Sequence, residues 1–269
     1  MKIIHNKNKL LKFIHNEKYL GFVPTMGAFH NGHISLIKKC IFTSKKSIVS
    51  IFINKPQFNN KTDFKKYPRP MQKDISILKR LKVDYLYLPS FSEIYPRGSN
   101  SNIKISEFKN QLCGKFRKGH FESVADVVDR FIKIIKPKKI YFGEKDMQQL
   151  KIIEHFIKNN HSKIKVISCK TIREKNGIAY SSRNKLLSKE DKKIASKVYQ
   201  ILLTNKKNLL QKKISLKNIQ SKIYALGIKK IDYIEVLNIN KLIRPYKSGR
   251  KHRIFLAYYL KKVRLIDNI

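Results

Sequence analysis

Two imidazoles flank a glycine in Val23-Pro24-Thr25-Met26-Gly27-Ala28-Phe29-His30-Asn31-Gly32-His33, just after the apolar run Leu20 to Val23. The run is short and stops at Pro24, so it reads as a buried strand. From Ile34 to Cys40 the apolar residues fall at helical spacing, which places His30 to His33 where a loop turns into a helix. A helix N-terminus presents N–H groups without intrahelical partners and a partial positive charge, and that end attracts a triphosphate. Gly27 and Gly32 let the backbone come close to a ligand, while His30 and His33 can donate hydrogen bonds to phosphate oxygens as pyrophosphate leaves. The pattern is that of a phosphate-handling loop, although an ordinary surface pair of histidines beside a turn uses the same residues.

Three further segments carry polar groups at the ends of apolar runs. Asn54 and Gln57 follow the run ending near Ile53, and open α/β sheets bind ligands at such carboxyl ends. An amide both donates and accepts, which suits Gln57 to an acid bearing hydroxyl groups; a plain turn is the alternative. Gly143-Glu144-Lys145-Asp146 again follows a strand pattern, with a small residue for close approach and Lys145 as a point charge for phosphate; in so lysine-rich a chain, a plain surface lysine is the alternative. Ser181-Ser182-Arg183-Asn184 follows the turn signal Asn176-Gly177, and its hydroxyls and guanidinium can grip phosphate; on the residues alone, a simple loop is the favoured alternative. Asp74 could hold magnesium directly or through water, but a carboxylate opening a helix also serves as a dipole partner.

The elements that must position these groups alternate in the first part of the chain. Strands are predicted at Tyr19 to Val23, Ser47 to Ile53, Tyr85 to Leu88, Ile140 to Phe142 and Lys165 to Cys169. Helices are predicted at Asp74 to Leu81, Val124 to Ile135 and Met147 to Asn159. This order is that of an α/β domain with a doubly wound parallel sheet. Beyond about residue 171 the pattern changes to helices at Lys189 to Leu203 and Leu216 to Leu226, then strands at Ile231 to Val236 and His252 to Leu260. That predicts a second, smaller α+β domain, with boundaries 1–171 and 172–269.

Composition narrows the class. The chain of 269 residues is 42% hydrophobic and can bury a substantial core. Its 60 Lys plus Arg against 18 Asp plus Glu give a net charge of +42. The lysines are spread among Ile and Asn rather than gathered in one arm, so the charge reads as compositional drift on solvated faces, with no specific nucleic-acid partner. The three cysteines, Cys40, Cys113 and Cys169, are far apart without C-x-x-C spacing, so neither a disulfide framework nor a zinc site is indicated. No signal-type or membrane-spanning apolar segment occurs, which predicts a cytoplasmic protein without a membrane partner.

In order along the chain, Pro24 to His33, Ser50-Ile51-Phe52-Ile53-Asn54-Lys55-Pro56-Gln57-Phe58, Tyr67-Pro68-Arg69, Gly119-His120-Phe121, Gly143 to Leu150, Ser181 to Asn184 and Arg264 to Asn268 resemble the motifs of pantothenate synthetases. These belong to the H-x-G-H nucleotidylyltransferase superfamily. The resemblance implies a Rossmann-like ATP- and pantoate-binding domain and a C-terminal lid. It implies ATP-dependent joining of pantoate to β-alanine through a pantoyl adenylate, with release of AMP and pyrophosphate. It assigns ATP to Met26, Gly27, Ala28, Phe29, His30, Asn31, Gly32, His33, Gly143, Glu144, Lys145, Asp146, Ile172, Tyr180, Ser181, Ser182 and Arg183. Pantoate falls to Gln57 and Gln149, and β-alanine to Gln57. His33, His30, Lys145 and Arg183 take the catalytic roles, and Mg2+ comes with ATP, with Asp74 beside it. A homodimer is implied as well. Where the family usually reads Asn-Pro-x-Gln, this chain has Asn54-Lys55-Pro56-Gln57, so the loop around Gln57 is where it departs. Lys73 stands where the family often has another acid, Ser123 where glycine is usual and Tyr180 where an aliphatic is usual. Another nucleotidylyltransferase would share His30, His33 and the Ser-Arg loop without needing Gln57 and Gln149. A nucleic-acid-binding module would rest on charge alone.

Overall fold

The computed structural model describes residues 1–100, 102–239 and 252–269. The chain separates into two compact units, one of residues 1–144 and 148–170 and the other of residues 145–147 and 171–269. Among the described residues nine strands are formed: β1 (Lys2–Ile4), β2 (Leu20–Thr25), β3 (Lys46–Ile51), β4 (Tyr85–Tyr87), β5 (Lys139–Gly143), β6 (Lys165–Cys169), β7 (Lys230–Asn238), β8 (His252–Leu260) and β9 (Val263–Asn268). The helices of the first unit are α1 (Lys7–Ile14), α2 (Asn31–Thr43), α3 (Lys61–Lys66), α4 (Met71–Arg80), α5 (Phe91–Ile94), α6 (Cys113–Phe116), α7 (His120–Ile135) and α8 (Met147–Asn160). Those of the second are α9 (Lys189–Leu210) and α10 (Leu216–Tyr224).

The first unit is a six-stranded, wholly parallel sheet in the order β1-β4-β3-β2-β5-β6. Its central strands read as unbroken apolar runs because both faces are covered. On one face Val23, Val49 and Leu86 pack with Ile37 and Cys40 of α2 and with Ile77 and Leu78 of α4. On the other, Phe131 of α7 meets Phe22, Phe52 and Tyr87 at ring separations of 5.4, 5.9 and 6.2 Å. The chain turns from β2 through β3 to β4 in one direction and from β5 to β6 in the other. The switch point therefore lies between β2 and β5, where open α/β sheets bind ligands at their carboxyl ends.

Several boundaries differ from the sequence reading for identifiable reasons. β2 does not stop at Pro24 but continues to Thr25. The peptide groups of residues 20, 22 and 24 face β5, and β2 pairs with β5 only at Gly21 and Phe22. The missing N–H of Pro24 thus falls beyond the ladder, where it costs nothing. β1 and α1 were not expected. The helix is started by Asn6, whose side chain accepts the Asn8 and Lys9 N–H groups, and anchored by buried Leu10 and Ile14.

The second unit is a three-stranded antiparallel sheet, β7-β8-β9, carrying α9 and α10. Alternate β8 residues Ile254, Leu256, Tyr258 and Leu260 are buried with Ala195, Val198 and Leu202 of α9 and Ile219 and Ile223 of α10. The Ser188 start of α9 is a reciprocal cap, with each of Ser188 and Asp191 accepting the other's backbone N–H at 3.1 Å. The C-terminal run at Arg264 to Asn268 is strand β9, an element that periodicity alone did not reveal.

Candidate active site

The loop after β2 is bent by two consecutive residues in the left-handed region, Gly27 at φ 76° and Ala28 at φ 54°. A Cβ on Gly27 would stand 2.8 Å from Asp74 Oδ2 and 3.0 Å from Ile51 Cγ2, so both conformation and space call for glycine there. The turn is pinned at its start by Thr25, whose hydroxyl donates to the Ser50 carbonyl at 2.6 Å and accepts the Gly27 N–H at 3.2 Å. It is pinned at its apex by Asp74, which is 2% exposed. Its Oδ2 accepts the Ala28 N–H at 2.6 Å and its Oδ1 the Phe29 N–H at 2.9 Å.

His30 then serves as the N-cap position of α2 in extended backbone, and no acidic residue occupies the first turn of that helix. The His30 and His33 rings stack at 4.0 Å between centroids, and Phe29 meets His33 edge-on at 5.6 Å. Both imidazoles therefore occupy one locality at the positive end of a 13-residue helix. The two histidines thus stand at the loop-to-helix junction that the spacing predicts, His30 at the N-cap position and His33 in the first turn of α2.

Asp74 also bears on magnesium. Each of its carboxylate oxygens takes a backbone N–H, and among the described residues no group of three or more His, Cys, Asp or Glu is placed to hold a metal ion. The carboxylate that the sequence offers to magnesium is thus already engaged by the loop backbone, with one lone pair left on each oxygen.

The second motif forms a 3-10 turn over Lys55–Gln57 with the displaced proline inside it, where a fixed φ and a missing N–H are tolerated. Gln57 still turns toward the β2 loop, its Nε2 donating to Met26 Sδ at 3.3 Å. Its backbone carbonyl is held by Arg117, between α6 and α7, and by His120, the first residue of α7. Arg117 donates to it at 3.2 Å and also to His120 Nε2 at 3.0 Å, while His120 Nδ1 lies 2.9 Å from the same carbonyl. Because arginine only donates, Nε2 is the acceptor and Nδ1 carries the proton toward Gln57. Ser123 adds a hydroxyl 3.2 Å from the Pro56 carbonyl. Gln149 is half-buried in the first turns of α8. Its neighbour Gln148 is structural: it accepts the Cys113 N–H and donates to the carbonyls of Phe108 and Gln111.

Gly143 and Glu144 close β5 beside the switch point. In the second unit, Lys145 Nζ lies 3.4 Å from Asp146, and the Lys145 carbonyl accepts the Asn268 side chain at 2.8 Å. A short hairpin carries the remaining assigned residues. Tyr180 N–H donates to the Ile172 carbonyl, Arg173 bridges Ala179, and the turn passes through Gly177 at φ 88°. A Cβ on Gly177 would meet the Tyr199 ring at 2.1 Å. Ser181 caps the 3-10 segment Ser182–Leu186 by accepting the Arg183 N–H. Asn184 staples the loop to Glu174 and Ala179. Arg173 is held by a two-pronged pair with Asp267 at 2.6 and 2.9 Å. Spacing gives no role to Arg117, to Arg173 and Asp267, or to Tyr95, which donates to Asn54, because these partners lie 60, 94 and 41 residues apart along the chain.

A doubly wound parallel sheet with a glycine-bent, histidine-bearing loop at its switch point defines a nucleotide-handling α/β enzyme class. Comparison narrows it further. Residues 2–269 match the family described as pantoate-beta-alanine ligase. The pantothenate synthetase of Endomicrobium trichonymphae is 39% identical over 275 residues, covering 100% of this chain and 97% of the relative. The solved pantothenate synthetase of Thermus thermophilus superposes with a TM-score of 0.92 at 30% identity, covering 100% and 99% of the two chains. The pantoate-beta-alanine ligase of Francisella tularensis, solved in complex with beta-gamma ATP and beta-alanine, gives 0.85 at 40% identity, covering 100% and 97%. The chain belongs to the pantoate-beta-alanine ligase family, and it is an enzyme: an ATP-using ligase of pantothenate biosynthesis.

Proposed function

We propose that the enzyme joins pantoate to β-alanine in two half-reactions through an acyl adenylate. A pantoate carboxylate oxygen attacks the α-phosphorus of MgATP, the bond to the bridging oxygen of pyrophosphate breaks, and pantoyl adenylate forms. The β-alanine amine then attacks the acyl carbon, the carbon–oxygen bond to AMP breaks, and the amine proton is lost as pantothenate and AMP depart. The activation step is needed because a free carboxylate is a poor electrophile.

The observation that carries this reading is the contact of Gln57 with Met26. It sets a carboxylate- and hydroxyl-recognising amide against the loop that bears His30 and His33, which is where an acid must meet an α-phosphate. His30 and His33 stabilise the charge that develops as pyrophosphate leaves, with His33 as proton donor. The family resemblance assigns Lys145 and Arg183 the same electrostatic duty, with Ile172, Tyr180, Ser181 and Ser182 on the nucleotide. Gln57 and Gln149 hold pantoate, and Gln57 also serves β-alanine. Magnesium enters with the ATP phosphates as part of the substrate. No protein nucleophile takes part. The family resemblance supports a homodimer, a lid role for the C-terminal unit and a cytoplasmic setting.

An assay of AMP formation with ATP, pantoate and β-alanine, each omitted in turn, tests the assignment. Stoichiometric AMP and pantothenate only with all three present is expected. Full turnover with an unrelated acid in place of pantoate would point to another nucleotidylyltransferase.

A further inference from the structure

The Gln57 side chain hangs from a series of hydrogen bonds whose directions are all determined, and the far end of that series is Tyr95. Tyr95 follows α5 and is 3% exposed. Its ring lies against Phe91 at 4.8 Å and beneath the Arg130 guanidinium at 4.5 Å. Arg130 is itself tied to Asp126 at 2.7 Å. The Tyr95 hydroxyl donates to Asn54 Oδ1 at 2.7 Å, and Asn54 is 1% exposed. Asn54 Nδ2 donates both to the Ser123 backbone carbonyl and to Gln57 Oε1, each at 3.1 Å.

A backbone carbonyl can only accept, so Ser123 fixes which end of the Asn54 amide is nitrogen. The opposite end is then the oxygen, and it requires a donor, which Tyr95 supplies. Because Asn54 Nδ2 can only donate, Gln57 must turn its oxygen inward and its N–H groups toward Met26 and the substrate side. Burial, reinforced by Asp126 and opposed by Arg130, pushes the Tyr95 hydroxyl well above its ordinary value, so it stays a donor throughout any working pH.

We propose that Tyr95 is a positioning residue that, through Asn54, fixes the Gln57 amide with its N–H toward the acid substrate. The site thereby selects a hydrogen-bond acceptor, a carboxylate or hydroxyl oxygen, at that point. The proposal rests on the reading of Gln57 as a pantoate ligand.

Tyr95→Phe removes only the donor, leaving Asn54 Oδ1 buried without it. The KM for pantoate should rise by roughly five- to twenty-fold, while the ATP dissociation constant from calorimetry stays within about twofold. Asn54→Asp replaces the donor facing Gln57 with an acceptor, so the Gln57 amide turns its nitrogen inward and pantoate KM rises at least as much. The double variant should be no worse than Asn54→Asp alone, because both changes act along one path. An unchanged pantoate KM in Tyr95→Phe, equal weakening of pantoate and ATP, or additive losses would each overturn the proposal. Gln57→Ala separates this from the reading beneath it. If Gln57→Ala leaves pantoate saturation unchanged, the pantoate assignment fails. If it weakens pantoate while Tyr95→Phe and Asn54→Asp do not, only the positioning role fails.

Discussion

Replacing Asp74 by asparagine is the sharpest perturbation of the phosphate loop, because it changes one atom of a buried carboxylate whose two oxygens each hold a backbone N–H. The amide keeps one acceptor and turns an N–H2 group toward the other backbone N–H. One charge-assisted bond is lost and a buried donor is left facing a donor, a penalty of about 1–3 kcal/mol. At about 1.4 kcal/mol per decade, that corresponds to a roughly 5- to 140-fold fall in the rate of adenylate formation, with the strain falling on the loop. The loop is the strained partner, with Ala28 at φ 54°, whereas Asp74 sits in a regular helix. Single-turnover pyrophosphate release, followed against Mg2+ concentration, reads the effect. The rate should fall while the half-saturating Mg2+ stays put. Gly27→Ala, which brings a Cβ within 2.8 Å of the same carboxylate, should mimic it. A rate that recovers fully at high Mg2+ would refute the reasoning and make Asp74 a metal ligand.

His30→Ala and His33→Ala should each lower adenylate formation by roughly a hundredfold or more with little change in ATP affinity, as for loss of a preorganised donor; near-normal turnover in both would move the chemistry elsewhere. Burial pushes the Asp84 carboxyl up, but the Ser47 N–H, Lys46 and the Ser47 hydroxyl together hold it below its ordinary value. Its stabilising contribution is therefore complete above the ordinary carboxylate range and lost as pH falls through the lowered value. The gap in melting temperature between wild type and Asp84→Asn should be widest near neutrality and close in acid, and a gap that ignores pH would contradict this. Burial pushes the Cys40 thiol up to about 12, so iodoacetamide at pH 8 should leave it unmodified in the folded enzyme, as read by mass spectrometry, and label it after denaturation.

What the sequence discloses follows the range of the interaction. β3 and β5 announce themselves because their apolar runs are local and buried on both faces, and α7 and α8 do so through helical spacing. α1 and β1 are hidden in a background of lysine and asparagine, where the Asn6 cap and the pair Leu10 and Ile14 look like drift. Pro24 misleads because the rule that proline ends a strand depends on which neighbour its N–H would face, a fact of topology. The loop of His30 and His33 is legible as a motif, yet what bends and holds it is not. Asp74 reaches it from 46 residues away and Tyr95 reaches Asn54 from 41. The displaced Pro56 turns out to be accommodated in a 3-10 turn, with Gln57 still directed at Met26.

The central claim is that the carboxylate is activated on the α-phosphorus, and oxygen tracing tests it most directly. With pantoate carrying oxygen-18 in its carboxylate, the bridging oxygen of the adenylate comes from pantoate and leaves on AMP when the amine attacks. One labelled oxygen per AMP formed, with none in pyrophosphate, is the predicted result. Label appearing in inorganic phosphate with ADP as the other product would place the attack on the γ-phosphorus and contradict the account.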